Sequence, residues 1–425
     1  MASAPLTIEV QSEIGKLEAV LLHSPGAEVE NMTPRNAQRA LYSDILNLSI
    51  AQKEYEQVSG VLNKVAKTYQ VRELLIKILD NHAERETLIG KICVTENVTD
   101  YFEYLMDMSS KNLAAVLIEG LPAKINTLTS YLKDDYYALL PLYNFYFTRD
   151  ASVSIGNRAL ICKMASKVRM RESLITEAIF RNPRFFDCNL LNAHEFQPGN
   201  DEIFMEGGDI LIAREDILII GNGMRTSSQG IDQLINRLCR STSQDKWHVI
   251  VQQLPDSPES FIHLDMVFTL LDVDKAMVFE PLILNDNQYQ TVHMTIEGGK
   301  VTKIKTVNNI LSVLKKLGME LEPVICGGNA DEWNQEREQW HSGANFFAFA
   351  PGKVMSYARN IHTLNELSKL DYEIIPAWDI VNGKKDLSKT GQCVVTIDGS
   401  ELPRGGGGAR CMTMPLRRQS VNWPK

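Results

Sequence analysis

Apolar residues along the chain fall into two textures. Residues 16–26, KLEAVLLHSPG, hold a short apolar run from Leu17 to Leu22 closed by Pro25-Gly26, the pattern of a buried strand ending in a turn. From about Asn36 to Leu139 the pattern is helical. Ala51, Tyr55, Val58, Leu62, Val65 and Tyr69 recur at alternating steps of four and three, which predicts one apolar stripe on a helix. Pro122, Gly60, Gly90 and Gly120 are the only helix-breaking residue types in this block. Further helical runs are predicted over about 71–80, 99–108, 111–119 and 123–133, so that 36–139 reads as a helical insertion.

After Asn144 the pattern becomes strand, turn, strand, helix, and it recurs. Residues 206–234, EGGDILIAREDILIIGNGMRTSSQGIDQL, give an apolar strand, an Arg-Glu-Asp turn, a second strand and a helix. Residues 343–367 repeat the plan with Pro351-Gly352 at the turn, and 147–174 repeat it with Gly156-Asn157. Residues 263–279 supply the first half of a fourth copy. A self-similar β-β-α unit spread along a chain predicts radial or stacked repeats of α/β type rather than a doubly wound sheet.

Composition narrows the class. The 425 residues are 44% hydrophobic and 23% charged, which excludes a disordered chain. With 44 Lys+Arg against 53 Asp+Glu the net charge is −9 and no basic block exists, which argues against nucleic acid and anionic membranes as partners. No run of about 18 apolar residues is present, so no membrane span is expected. The seven cysteines are scattered and form no CxxC pair, which disfavours a disulfide framework or a zinc site and suits a reducing, cytoplasmic setting.

Candidate chemistry gathers at strand ends. In GGGGARCMTMPL (405–416) four glycines lead to Cys411 at a loop-to-strand junction, a placement open either to a nucleophile or to a buried core thiol. FIHLDMVF (261–268) puts His263 and Asp265 two apart, on one face if the segment is a strand. EGGD (206–209) and FTRD (147–150) place Glu206 and Asp150 at turns, where a capping role is the plainer explanation of each alone. Taken together, Cys and His supply a nucleophile and an acid/base, while two further carboxylates suit a planar cation. Attack of a thiol on a guanidinium carbon is the chemistry this set describes.

NFYFTRD (144–150), KVRMRESL (167–174), EGGD, MRTS (224–227), HLD (263–265), YARN (357–360) and ARCMTMPL (409–416) follow one another in the order found in arginine deiminases. The chain resembles that family, part of the pentein or guanidino-group-modifying superfamily, over nearly its whole length. The resemblance implies an α/β fold, a five-bladed propeller of pseudo-fivefold repeats formed by 1–35 and 140–425, with 36–139 as an inserted helical domain. It implies hydrolysis of L-arginine to L-citrulline and ammonia, with no metal or organic cofactor and a homo-oligomeric assembly. Cys411 would be the nucleophile, His263 the acid/base and Glu206 its hydrogen-bond partner, with Asp150 and Asp265 gripping the guanidinium. Arg169 and Arg225 match positions that bind the substrate α-carboxylate, Arg171 being a close neighbour open to the same assignment. Asn144 and Phe147 match positions lining the pocket. Some members carry an arginine inside the glycine loop; here Arg410 is the candidate gate and Arg404 the alternative.

Other reactions on the same fold remain open at this point: transfer of the amidino group to an amine, or deimination of agmatine, which lacks the carboxylate that Arg169 and Arg225 would bind. A cationic His263 or Arg410 would lower the Cys411 pKa, and Asp150 and Asp265 would raise it. If the carboxylates dominate, the thiol waits protonated for the substrate cation.

Overall fold

Short runs rich in Ile, Val and Leu, bounded by turn residues, form the inner strands, which are buried along most of their length, whereas edge strands such as Lys300–Val307 and Glu373–Pro376 are largely exposed. The computed structural model describes residues 4–32, 44–125, 127–132, 136–197, 199–240 and 246–424. The expected start of the helical block at Asn36 and the side chain of Cys239 lie outside the described residues.

One plan recurs in five sheets: two antiparallel strands, a crossover, then a strand parallel to the second. The first copy pairs Ser152–Ile155 with Arg158–Ile161, crosses through helix Met170–Arg181, and adds Asn189–Asn192. Ile210–Arg214 and Ile217–Asn222 are joined through helix Ser228–Arg240 to Lys246–Gln253, and that sheet is widened by Thr291–Glu297 and Lys300–Val307. Phe268–Leu270, Lys275–Val278 and Glu322–Ile325 make the third, with helix Ile310–Lys316 in its crossover. Phe347–Ala350, Lys353–Tyr357 and Cys393–Ile397 make the fourth, which Glu373–Pro376 extends.

The fifth sheet joins the two ends of the chain. Met414–Arg418 pairs antiparallel with Leu17–Leu22, and Lys67–Gln70 lies parallel to Leu17–Leu22 after the helix Leu48–Val65. Here the helical stripe read as far as Tyr69 is corrected. The helix ends at Val65, Ala66 turns extended, and Tyr69 sits in a strand. Leu48–Val65 is therefore the crossover helix of a sheet. The helices outside the fivefold plan begin at Val71: Val71–Leu79, His82–Thr95, Phe102–Met106 and Ser110–Glu119 bury Leu75, Ile89 and Leu113 together with Ile175 and Ile179 of the first unit's helix. No helix among the described residues is long and apolar enough to cross a membrane.

Candidate active site

In each of the five units the residues just before the first strand turn toward one place. Asp150 closes the short helix Thr148–Ala151 before Ser152, and Glu206 caps the turn Gly207–Asp209 before Ile210. His263 caps the 3-10 turn Leu264–Met266, which contains Asp265 and precedes Phe268. Asn345 comes two residues before Phe347, and Cys411 three before Met414. The strand expected to carry His263 and Asp265 does not form. The Leu264 amide donates to Asp209 Oδ1 (2.9 Å) and the Met266 carbonyl accepts from Gln339 (3.3 Å), so side chains replace the sheet ladder there.

Four of the five expected catalytic residues line one cavity; Asp265 does not line it and touches the sulfur of Cys411 from the interior. A cavity of about 280 Å³ is lined by Asp150, Glu206, His263 and Cys411, together with Asn144, Phe147, Arg169 and Arg225. His263 Nε2–H donates to Glu206 Oε2 at 2.9 Å, and its Nδ1 is 3.8 Å from Asp150 Oδ1. The imidazole lies flat on Gly208, where a Cβ would stand 2.5 Å from Nδ1, so no larger residue fits beneath the ring. Cys411 Sγ is 3.7 Å from Asp265 Oδ2 and accepts from Asn345 Nδ2 at 3.2 Å. Of the six described cysteines, all free thiols, Cys411 is the one on this cavity.

The arginines divide. Arg169 donates to Asp150 Oδ2 (2.7 Å) and Glu172 (2.8 Å), and Arg225 Nη1 is 3.6 Å from Glu206 Oε1, so both stand on the cavity wall. Arg171 points elsewhere, to Glu96 at 3.2 Å. Arg410 is not a gate. Its guanidinium is 1% exposed and donates to Asp265 (2.7 Å), to both oxygens of Glu13 (3.0 and 3.1 Å) and to the Ile210 carbonyl (2.9 Å), away from the cavity. The residue before Cys411 in the chain turns its side chain into the interior, where two buried carboxylates need a cation. Arg404 is exposed, pairs with Asp44 and Glu401, and lines a neighbouring cleft instead.

Charges in the cavity are strongly coupled. Burial opposes ionisation of Glu206, yet Arg225, the His263 hydrogen bond and Arg169 hold its carboxyl down at about 2. Burial likewise opposes the His263 cation, but Asp150, Glu206 and Asp209 raise the imidazole to about 9. The ring is thus an imidazolium at neutral pH. Burial, then Asp265 and Asp150, push the Cys411 thiol well above its ordinary value. Burial and the two carboxylates together keep the sulfur a thiol. Asp150, Glu206 and His263 bring ligand atoms within 4.8 Å of one another, close enough to share a metal ion. A protonated His263 offers no lone pair, however, and Arg169 and Arg225 already oppose the two carboxylates. Asp150 Oδ1 and His263 Nδ1 nonetheless have no hydrogen-bond partner; the carboxylate oxygen lacks a donor, which a cationic ligand would supply, and the imidazolium N–H lacks an acceptor.

The family model described as "Arginine deiminase" matches residues 38–418. The arginine deiminase of Oenococcus oeni is 31% identical over 97% of this chain and 98% of its own length, and that of Staphylococcus haemolyticus is 33% identical over 97% and 99%. The chain belongs to the arginine deiminase family. Among solved structures, the N-terminal domain of the cyanobacterial arginine dihydrolase ArgZ superposes with a TM-score of 0.52 at 13% identity, covering 94% of this chain and 98% of that one. SxtG, an amidinotransferase from Microseira wollei, gives 0.50 at 13%, covering 98% of each. These likenesses concern the fold, a mixed α/β one of the pentein kind.

Two buried polar residues of this arginine deiminase family member escaped the sequence reading. Asp209 seats the His263 turn, and burial raises its carboxyl to about 7. Asn345 touches the sulfur of Cys411. A positional signal existed for the second: the recognised repeat at 343–367 had no chemistry assigned before its first strand, where every other copy did.

Proposed function

We propose that this chain converts L-arginine and water to L-citrulline and ammonium through a covalent amidino-cysteine intermediate. The observation that carries the proposal is the buried pair of unpartnered atoms, Asp150 Oδ1 and His263 Nδ1, facing the same cavity as the Cys411 thiol. A guanidinium supplies donors for Asp150, and its charge offsets the carboxylates that hold the thiol protonated.

The steps follow from those charges. As the substrate cation enters, the thiol loses its proton to solvent and the thiolate attacks the guanidinium carbon, giving a neutral tetrahedral adduct. His263, already an imidazolium, passes its proton to a departing nitrogen, which leaves as ammonia and is protonated in solution. The S-alkylthiouronium remains on Cys411. Neutral His263 then takes a proton from water, whose oxygen bonds to the same carbon, and the carbon–sulfur bond breaks as the new hydroxyl loses its proton to solvent, releasing citrulline and the thiolate. Asp150 and Asp265 position the cation, Arg169 and Arg225 receive the α-carboxylate, and Asn144 and Phe147 shape the wall. Asp265 must first share Oδ2 with Arg410, and Asp150 must share with Arg169.

We also infer that the five sheets stand as blades around one axis, because the residues before all five first strands meet. On that reading the helical insertion begins at Val71, and 44–70 belongs to the propeller. Incubation with L-arginine tests the reaction: citrulline and ammonium in equal amounts, lost in Cys411→Ala, is the expected result. Ornithine or an N-amidino product from added amine would establish an amidinotransferase. Agmatine turned over as well as arginine would remove the carboxylate clamp.

A further inference from the structure

Cys411 faces a difficulty that the residues named so far do not relieve. The sulfur must carry negative charge twice, when it attacks and when it is expelled, in a site that burial and two carboxylates make hostile to a thiolate. The neighbouring cation does not answer this, because Arg410 spends its donors on Glu13, Asp265 and two backbone carbonyls.

Asn345 is 0% exposed, and every polar atom of its side chain is engaged. Oδ1 accepts from the Arg410 amide (2.9 Å) and the Cys411 amide (3.3 Å). Since only an oxygen can accept from two N–H groups, the carboxamide has one orientation, and Nδ2 must face the other way. Nδ2 donates to the Asp265 carbonyl (3.1 Å) and to Cys411 Sγ (3.2 Å). One amide therefore ties the nucleophile's backbone to its sulfur and to the Asp265 segment. The glycine run is shaped to admit it: a Cβ at Gly408 would stand 2.8 Å from Asn345 Oδ1.

We propose that Asn345 is a catalytic residue whose side-chain N–H donates to the Cys411 sulfur whenever it is anionic, as attacking group and again as leaving group. The donor is neutral, so it stabilises the thiolate without competing with the substrate cation for Asp150 and Asp265. It also stands in the fourth repeat where Asp150, Glu206, His263 and Cys411 stand in the others, giving each unit one residue at the reaction. The inference rests on Cys411 as the nucleophile.

The test uses the full chain with two variants. Asn345→Ala removes both functions of the amide without adding charge, whereas Asn345→Asp keeps an acceptor for the two backbone N–H groups, removes the donor and adds a carboxylate beside the sulfur. The rate of Cys411 alkylation by iodoacetamide is followed against pH, beside kcat and KM for L-arginine and a thermal melt. In both variants the alkylation midpoint is expected to rise by about one pH unit or more, the cost of losing a hydrogen bond to a charged group. Asn345→Asp should move it furthest. The kcat should fall by about 10²-fold, as on loss of an oxyanion donor, with KM changed little. An unchanged midpoint in Asn345→Ala, folded by its thermal melt, overturns the proposal whether kcat holds or falls, because a merely structural amide would not set the titration of the sulfur. A rise seen in Asn345→Asp alone also overturns it, as an effect of the added charge. Cys411→Ala must lose both label and activity. If it keeps its activity, the nucleophile assignment fails and the role of Asn345 goes with it.

Discussion

Replacing Glu206 by glutamine keeps the shape of the side chain and removes one negative charge from the His263 imidazole. Glutamine can still accept from the Ala165 amide, as Glu206 does at 3.2 Å, so the turn before Ile210 should hold. A unit charge about 4 Å away at an effective dielectric of about 20 contributes about 4 kcal/mol, or about three pH units at most. The whole rise of His263 is from 6.5 to about 9, and Asp150 and Asp209 share in it. Losing Glu206 while Arg169 and Arg225 remain nearby should return the ring to about 7. The sign follows from the role. A general acid is competent while protonated, so activity is lost as pH rises through its pKa. At pH 8 an imidazole of pKa about 9 is roughly 90% protonated and one of about 7 is roughly 10%. Citrulline formation at low arginine concentration, measured from pH 6 to 10, should show the alkaline limb of kcat/KM moved down by about two units. The loss should be about tenfold at pH 8 and nearly none at pH 6. An alkaline limb that stays near 9 in Glu206→Gln would refute the reasoning, since another group would then be setting the acid.

Four further outcomes separate the roles of other charged residues. Arg225→Ala should raise KM for L-arginine by about 10- to 100-fold, the worth of a hydrogen bond to a charged partner, and so narrow the preference for arginine over agmatine; steady-state kinetics on both substrates read the ratio. Arg410→Met should destabilise the fold by about 3–5 kcal/mol because it strands Glu13 and Asp265 in the interior, and a thermal melt will show it. Arg404→Ala, by contrast, breaks an exposed pair worth under about 1 kcal/mol and should leave melt and kcat alike. Glu54→Ala removes a buried carboxylate that accepts from the amides of Ser400, Glu401 and Leu402, just ahead of the glycine loop. It should lower stability by about 1–3 kcal/mol in a denaturant titration.

What the sequence disclosed and what it hid follow from the range of the interactions involved. Four of the repeats were legible because each antiparallel pair is local: an apolar strand, a turn and a second apolar strand leave their periodicity in one short stretch. The fifth was not, since Met414–Arg418 and Leu17–Leu22 are partners from opposite ends of the chain and neither carries a turn that points to the other. Lys67–Gln70 was hidden for a related reason. Spacings of four and three continue by chance to Tyr69, and only pairing with Leu17–Leu22 makes the segment a strand. The helix His82–Thr95 went unmarked because Leu88, Ile89, Ile92 and Cys93 crowd into its second half around Gly90 and give no stripe along its length. At the site, residue types betrayed Cys411, His263, Glu206, Asp150 and Asp265, since a thiol, an imidazole and carboxylates beside turns are chemically conspicuous. Asn345 and Asp209 act through hydrogen bonds to backbone N–H groups, which depend on where a distant segment lies. The misjudged residue, Arg410, shows the same limit from the other side. An arginine beside a nucleophile fits either a gate over the pocket or a strut behind it, and Glu13, almost four hundred positions away in the chain, decides for the strut.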